Sequence, residues 1–402
     1  MRLLVLALVA MFVQQAVATM SKVIVPVISP AILDRFDVSP ALVGVFVAIA
    51  ASFSMVSTMG CGGLFRRYGA LRMSQVSLLL IALGMSFAAF GMLWPLVLTA
   101  AIAALGTAMA TPASSHLLAR YSPPGYGPLV FSLKQTSVPA GLMMAGLLMP
   151  FLVGLWGWQA AMLVNGALCA ALALALQPSR AAFDNDRKPD HRLSIDVFRS
   201  TFMTVISTPG LGLMAFASFG FVGLQAVFTS FFVLNLNRSL GYDLAAAGAV
   251  FATATAVAVP ARILWGWVGS RLVAPRLVLA MLGIGAALAT FGFAAYDAGW
   301  STWAVLAVAI CYAATGLSWH GVLLSEVARL APPGQAGAMT GGVLSFSSAG
   351  QMLLPLLFGG VLELTGTFAT GFALTALPAL AAGLIFLRRP PPETASVTET
   401  TR

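Results

Sequence analysis

A bundle of twelve membrane-spanning α-helices in two six-helix halves is the fold this sequence predicts. Three observations carry it: hydrophobicity along the whole chain, its division into apolar stretches of bilayer length, and a repeat at about half the chain length. Of 402 residues, 59% are hydrophobic and 8% are charged, against about 25% charged in soluble domains. Mean hydropathy is +0.95. The 21 basic and 12 acidic residues cannot coat a soluble protein of this size. That excludes a soluble enzyme, a nucleic-acid-binding domain and a disordered chain. The net charge of +9 is read as basic loops beside a membrane. Cys61, Cys169 and Cys311 all fall in apolar stretches and are expected to pack as reduced thiols.

A spanning helix needs about 20 apolar residues. Between clusters of Pro, Gly and charge, the chain offers twelve such stretches: 3–31, 40–64, 72–93, 96–118, 130–152, 158–177, 210–234, 244–268, 276–297, 301–325, 337–361 and 368–387. They are long, rich in Ala, Leu and Gly, and not alternating, which favours helices over barrel strands. The first imitates a cleavable signal peptide, with Arg2, an apolar run and Ala16-Val17-Ala18. The apolar run resumes at Val23 and reaches Ile32, so it is read as a span.

With the N-terminus inside, sixteen Lys and Arg fall on cytoplasmic segments, two (Arg35 and Arg238) on outer loops, and three within spans. That bias places both termini in the cytoplasm, with the chain in the plasma membrane, the inner membrane of a bacterial cell. Residues 1–177 form the first half and 209–388 the second. Residues 178–208, with five basic and four acidic residues, form a cytoplasmic linker, and 389–402 a disordered tail.

The halves repeat. Ala119-Arg120-Tyr121-Ser122-Pro123-Pro124-Gly125 returns as Ala328-Arg329-Leu330-Ala331-Pro332-Pro333-Gly334, and the same shift of 209 carries Leu155-Trp156-Gly157 onto Leu364-Thr365-Gly366. Gly62-Gly63-Leu64-Phe65-Arg66-Arg67 pairs with Gly266-Trp267-Val268-Gly269-Ser270-Arg271 at a shift of 204. Parallel six-helix repeats form a transporter architecture with its site between the halves. The 6+6 arrangement, the long central loop and the signature Gly62-x-Leu64-x-x-Arg67-Tyr68-Gly69, followed by Arg72, resemble the major facilitator superfamily. The second copy, Gly266 to Arg271, lies between the eighth and ninth spans. The resemblance implies alternating access and a conformational role for the Gly62, Leu64, Arg66, Arg67, Gly69, Arg72, Gly266 and Arg271 loops. The family's loop usually carries an Asp just before the Arg. This chain has Arg66 there and Ser270 in the repeat. The fourth-span Arg of many proton-driven drug exporters is also missing.

An ionisable group inside a span costs at least about 2.5–3.5 kcal/mol, so each is a functional candidate. Gln15, Thr19 and Lys22 share one face of the first span; the alternative for Lys22 is reach to the outer headgroups. Lys134 and Gln135 begin the fifth span, where a Lys could snorkel inward. Arg262 lies about 13 Å of helix inside Arg271. It either meets substrate through its planar fork or pairs with Glu326. His320, beside Trp319 in the tenth span, suits an anion or a proton, or is a neutral His on a carbonyl. Gln225 in the seventh span is a further polar candidate. Apart from Asp297 and Glu326, both at span ends, no Asp or Glu lies in any predicted span. The interior charge is therefore basic, which attracts anions.

The function these residues predict is secondary transport of a small organic anion, a carboxylate, without enzyme chemistry, cofactor or metal. Its partners are the substrate, the lipid bilayer and a proton or ion if transport is coupled, and the chain is expected to act as a monomer. Export of hydrophobic drugs is the alternative within the class. A non-transporting membrane sensor or assembly factor is the alternative outside it.

Overall fold

The computed structural model describes residues 2–123, 130, 133–187, 203–331 and 336–388, and among these the regular structure is helical, without a strand. In chain order the helices are α1 (Arg2–Val27), α2 (Ser29–Phe36), α3 (Leu42–Tyr68), α4 (Ala70–Ser86), α5 (Pro95–Tyr121), α6 (Ser137–Ala175) and α7 (Arg180–Phe183). The second half contains α8 (Pro209–Leu240), α9 (Leu244–Arg271), α10 (Pro275–Ala294), α11 (Thr302–Gly316), α12 (His320–Leu330), α13 (Ala336–Thr365) and α14 (Phe368–Arg388).

Among the described residues, ten apolar helical stretches are long enough to cross a membrane. One of them, Leu133–Phe183, is 51 residues long and breaks at Gly157, whose φ of 81° no helix accommodates. It therefore supplies two crossings. Adding α3, whose described apolar part is Leu42–Thr58, accounts for the twelve expected spans.

Two expected spans differ in detail. The first runs on to Phe36, because α1 and α2 stack with only Ile28 between them, where Pro26 and Pro30 leave gaps in the backbone hydrogen bonding. The tenth is not one helix. It stops at Gly316 and restarts at His320, with Leu317, Ser318 and Trp319 between. Cys169 is buried as expected. Cys311 is exposed on the bundle surface, because its face of α11 points away from the helices packed there; Cys61 lies where side chains are not described.

The repeat is visible in the backbone. Gly157 and Gly366, matched by the 209-residue shift, both take positive φ, 81° and 69°, at equivalent turns. Most of the Pro-Pro-Gly copies, 124–129 and 332–335, lie outside the described residues.

The halves meet through α3 against α13, α6 against α9, and α1 against α8. The first two contacts are images of one another under the repeat: second span on eleventh, fifth on eighth. At the end where the loops carry only Arg35 and Arg238, called here the arginine-poor end, the halves are joined closely. A Cβ on Gly44 would lie 2.4 Å from the Pro355 carbonyl oxygen, and one on Gly359 would lie 2.7 Å from that of Ala41. Gly146 and Gly248 approach so closely that a Cβ on Gly248 would stand 2.2 Å from the Gly146 oxygen. Arg238 pairs with Asp34 across the same seam, and the Ser39 hydroxyl donates to Glu363. Among the described residues, the inter-half hydrogen bond nearest the opposite, basic end joins Arg262 to Gln135.

Gly248→Ala should force α6 and α9 apart and lower the stability of the detergent-solubilised protein by about 1–3 kcal/mol, the usual range for overpacking. Gly266 has open space around its Cα. Gly266→Ala should therefore leave the melting temperature unchanged or raise it, since removing a mid-helix Gly is worth about 0.5–1 kcal/mol. Thermal melts of the two variants side by side check both.

Candidate functional site

The break in the tenth span frees carbonyl groups inside the bilayer, where each needs a donor. α9 supplies them. Arg262 Nε donates to the Leu317 oxygen at 2.8 Å, and Trp265 Nε1, one turn on, donates to that of Ala314 at 2.8 Å. Arg262 Nη1 reaches across to the first half and donates to the Gln135 oxygen at 3.0 Å. The expected alternative partner, Glu326, is engaged elsewhere: its carboxylate takes both arms of Arg329, at 2.9 and 2.5 Å. Three residues' separation on α12 makes that pairing local, and it leaves no carboxylate for Arg262. Among the described residues the ion pairs all lie towards the ends of the bundle, and Arg262 Nη2 has no partner.

Trp319 and His320 follow the break. Their rings stack with centroids 3.6 Å apart, and the Trp319 indole also lies 5.8 Å from Phe221. Trp319 Nε1 and His320 Nδ1 are buried without a hydrogen-bond partner. Arg262 and Lys22 are both close enough to act electrostatically on the His320 ring. The break therefore brings Arg262 of α9 onto the chain three residues before His320 of α12.

Lys22 does not reach for headgroups. Its Nζ donates to Gln351 Oε1 on α13 at 2.9 Å, across the interface between halves, and its side chain remains accessible. Beside it lies a narrow cleft between α1, α3, α5 and α13, whose polar lining is Ser21, Lys22, Ser54, Thr99, Thr107 and Gln351.

Gln15 and Thr19 do share the face that Lys22 occupies, and Gln15 Nε2 donates to the Thr19 hydroxyl at 3.3 Å. Gln15 Oε1 accepts from Thr111 at 2.9 Å and from Lys134 Nζ at 3.1 Å. Lys134 is 1% exposed, so it does not snorkel, and it also donates to Gln135 Oε1 at 3.4 Å. Gln225 stands apart on α8, half-buried, with its Oε1 unpartnered.

The loop motif is organised by a residue the sequence reading passed over. The Asp184 carboxylate accepts from the Leu71 and Arg72 backbone N–H groups at 2.8 and 2.9 Å, capping the N-terminus of α4. Negative charge is favoured at that end of a helix. Gly69, at φ 98°, is required here: a Cβ would sit 2.3 Å from Asp184 Cγ. The carboxylate absent at position 66 thus arrives from Asp184, just past α7. Burial pushes the Asp184 carboxyl above the usual carboxylate range, opposed by those two N–H donors and by Arg180. Its neighbours dock alongside: Asp186 meets His116 at 3.4 Å and Arg120 at 3.1 Å. Leu64 packs at the edge of a small cluster with Phe65, Met73 and Met109. Arg67 lies over the Tyr68 ring, and Arg72 Nη1 reaches Gln75. Arg271 is exposed. Gly62 and Arg66 are helical, and their surroundings lie outside what is described.

The description "Major Facilitator Superfamily" fits residues 7–341 of the chain. The chain belongs to that superfamily. Among relatives, it is 26% identical over 379 residues to human (Homo sapiens) monocarboxylate transporter 11, covering 90% of this chain and 77% of the human protein. Two superfamily folds in crystal structures superpose on it. A peptide transporter POT in complex with sulfate does so at TM-score 0.75 and 15% identity, over 95% of this chain and 93% of that one. A bacterial homologue of the human lysosomal transporter Spinster, inward-facing and unoccupied, does so at 0.72 and 16%, over 96% and 95%. This superfamily member is accordingly an integral membrane transporter.

Asp184→Ala should lower the stability of the protein by about 1–2 kcal/mol, the range for losing a helix cap and its charge. Asp184→Asn, which keeps one acceptor, should fall between. Melting temperatures of the purified variants read the difference.

Proposed function

We propose that this transporter carries a small organic anion, a monocarboxylate, by alternating access of its two halves. The observation that carries the reading is Arg262. It is a fixed cation inside the bilayer, held by two carbonyl oxygens and no carboxylate, with one arm of its guanidinium unbound among the described residues. A carboxylate is the natural complement of that arm. Lys22, accessible beside the cleft, supplies a second cation. Two cations in a low-dielectric site repel organic cations and favour anions, which argues against a cationic-drug exporter. The name of the human relative, monocarboxylate transporter 11, supports the same class.

In this reading the basic end faces the cytoplasm, by the excess of Arg on its loops, and both termini lie there in the plasma membrane of a bacterial cell. The halves are pressed together at the arginine-poor end, so the described conformation is closed to the outside. Residues 1–177 and 209–388 rock as two bodies about the Lys22–Arg262 level, with 178–208 as their cytoplasmic connection, and the transporting unit is a monomer.

Purified protein in proteoliposomes should exchange internal for external radiolabelled monocarboxylate, and the same acids should raise its melting temperature. Stabilisation by hydrophobic cationic drugs and not by acids would refute the anion reading. Exchange of no solute at all would favour a sensor. Arg262→Ala should reduce exchange at least about a hundredfold, near the 3 kcal/mol upper range for a bond to a charged group. Arg262→Lys should keep the charge and the fold yet lose about tenfold, because an ammonium cannot serve three separated acceptors. Lys22→Gln should raise the half-saturating concentration about tenfold.

A further inference from the structure

The narrow cleft beside Lys22 is lined by hydroxyls whose own hydrogen bonds are slack. Ser54 on α3 and Thr107 on α5 both donate to the Ala104 oxygen, at 3.4 and 3.3 Å, and Thr99 donates to that of Pro95 at 3.5 Å. A hydroxyl bond to oxygen ordinarily measures about 2.5–3.0 Å. Off the cleft, the same two helices meet that standard. Ser52, Ser57 and Thr58 on α3 donate to backbone oxygens at 2.9, 2.8 and 2.8 Å, and Ser114 on α5 does so at 2.8 Å. The fourth hydroxyl of the lining, Ser21, is committed: it donates to the Val17 oxygen at 2.8 Å and accepts from Asn165 Nδ2 at 2.9 Å. Three hydroxyls in the cleft are thus held loosely, on helices that hold their other hydroxyls well.

The lining also carries donors to spare. Lys22 Nζ has three protons and places one on Gln351 Oε1. Gln351 Nε2 has two more, with no partner among the described residues. Each loose hydroxyl can accept from a ligand where it stands, or give up its long backbone bond and donate instead. The acceptors run from Thr99 to Thr107, about 12 Å along α5, which is more than a three-carbon acid covers. Val25 and Phe46 give the cleft apolar wall, and Ala50, Ala100 and Ala103 keep bulk out of it. A hydrocarbon tail placed there would leave the donors and acceptors unanswered, and buried polar groups without partners are costly. A branched or ring-shaped group would not fit the narrow space. A chain that presents a hydroxyl at each carbon answers both the polar groups and the width.

We infer that the cleft receives the hydroxylated chain of the substrate, which is an unbranched polyhydroxy monocarboxylate of sugar length, the anion of an aldonic acid. This rests on the anion reading above and narrows its substrate class. The carboxylate end belongs to the cations, and the chain lies past Lys22 with its hydroxyls against Ser54, Thr99 and Thr107.

The test uses full-length purified protein, whose melting temperature is followed against rising concentrations of four probes. D-gluconate has the carboxylate and the hydroxyls, hexanoate the same chain without hydroxyls, lactate a short chain, and glucitol the hydroxyls without the charge. Gluconate should half-saturate at a concentration at least about tenfold below hexanoate and lactate, the ratio that two ordinary hydrogen bonds supply. That comparison needs no variant. The double variant Ser54→Ala, Thr107→Val should weaken gluconate at least about ten times more than lactate, and its lactate response reports that it is folded. Thr107→Ser, which keeps the hydroxyl, should hold gluconate within about threefold of the wild type; a loss as large as that of Thr107→Val would assign the effect to packing and overturn the inference. Hexanoate binding as tightly as gluconate, or equal losses for gluconate and lactate in the double variant, would also overturn it and leave the anion reading standing. Glucitol binding as tightly as gluconate, or no response to any of the three acids, would overturn both.

Discussion

A cation inside a bilayer must be surrounded by oxygens, and in this protein that requirement organises the centre of the molecule. Arg262 meets it with the carbonyls of Leu317 and Gln135. The first exists as a free acceptor only because the tenth span breaks; the second lies at the entry to α6, in the other half. Neither feature is tenable alone. A broken span without Arg262 and Trp265 would leave carbonyls unsatisfied in hydrocarbon, and Arg262 in an unbroken bundle would have nothing to hold it. The break also sets the direction in which Trp319 and His320 leave the chain, so one guanidinium determines where three candidate residues stand.

The same economy appears at the basic end. The signature loop lacks its customary Asp, yet a carboxylate is present at the N-terminus of α4, brought there by the segment that follows the sixth span. Gly69 is what permits the approach, and the two residues form one unit although 115 positions separate them. That unit ties the third and sixth spans within the first half, which suits a half that moves as a body.

Much of this was legible in the amino-acid order. Apolar runs punctuated by Pro and Gly reveal spans because the bilayer fixes their length. The repeat shows itself at Gly157 and Gly366 because a left-handed turn tolerates few other residues. Lys22, Lys134 and Arg262 stand out because charge is rare in hydrocarbon. What the order could not reveal was partnership. Glu326 was a reasonable partner for Arg262 by chemistry, but Arg329 on the next turn reaches it first. The break at Leu317 is flanked by Gly316 and Ser318, a weak signal in a chain with 39 glycines. Gln351 and Asp184 have ordinary surroundings in sequence and acquire their roles only through contacts hundreds or scores of residues away.

The glycine seam at the arginine-poor end has a further consequence. Gly44, Gly146, Gly248 and Gly359 bring backbone against backbone, with Pro150 and Phe251 packed beside them and the Arg238–Asp34 and Ser39–Glu363 pairs across the same seam. Parting such a seam gives up close backbone packing and two polar pairs at the rim, with few large side chains to move. Shape fit then decides only where the halves rest, and a bound solute contributing a few kcal/mol is enough to decide when they separate.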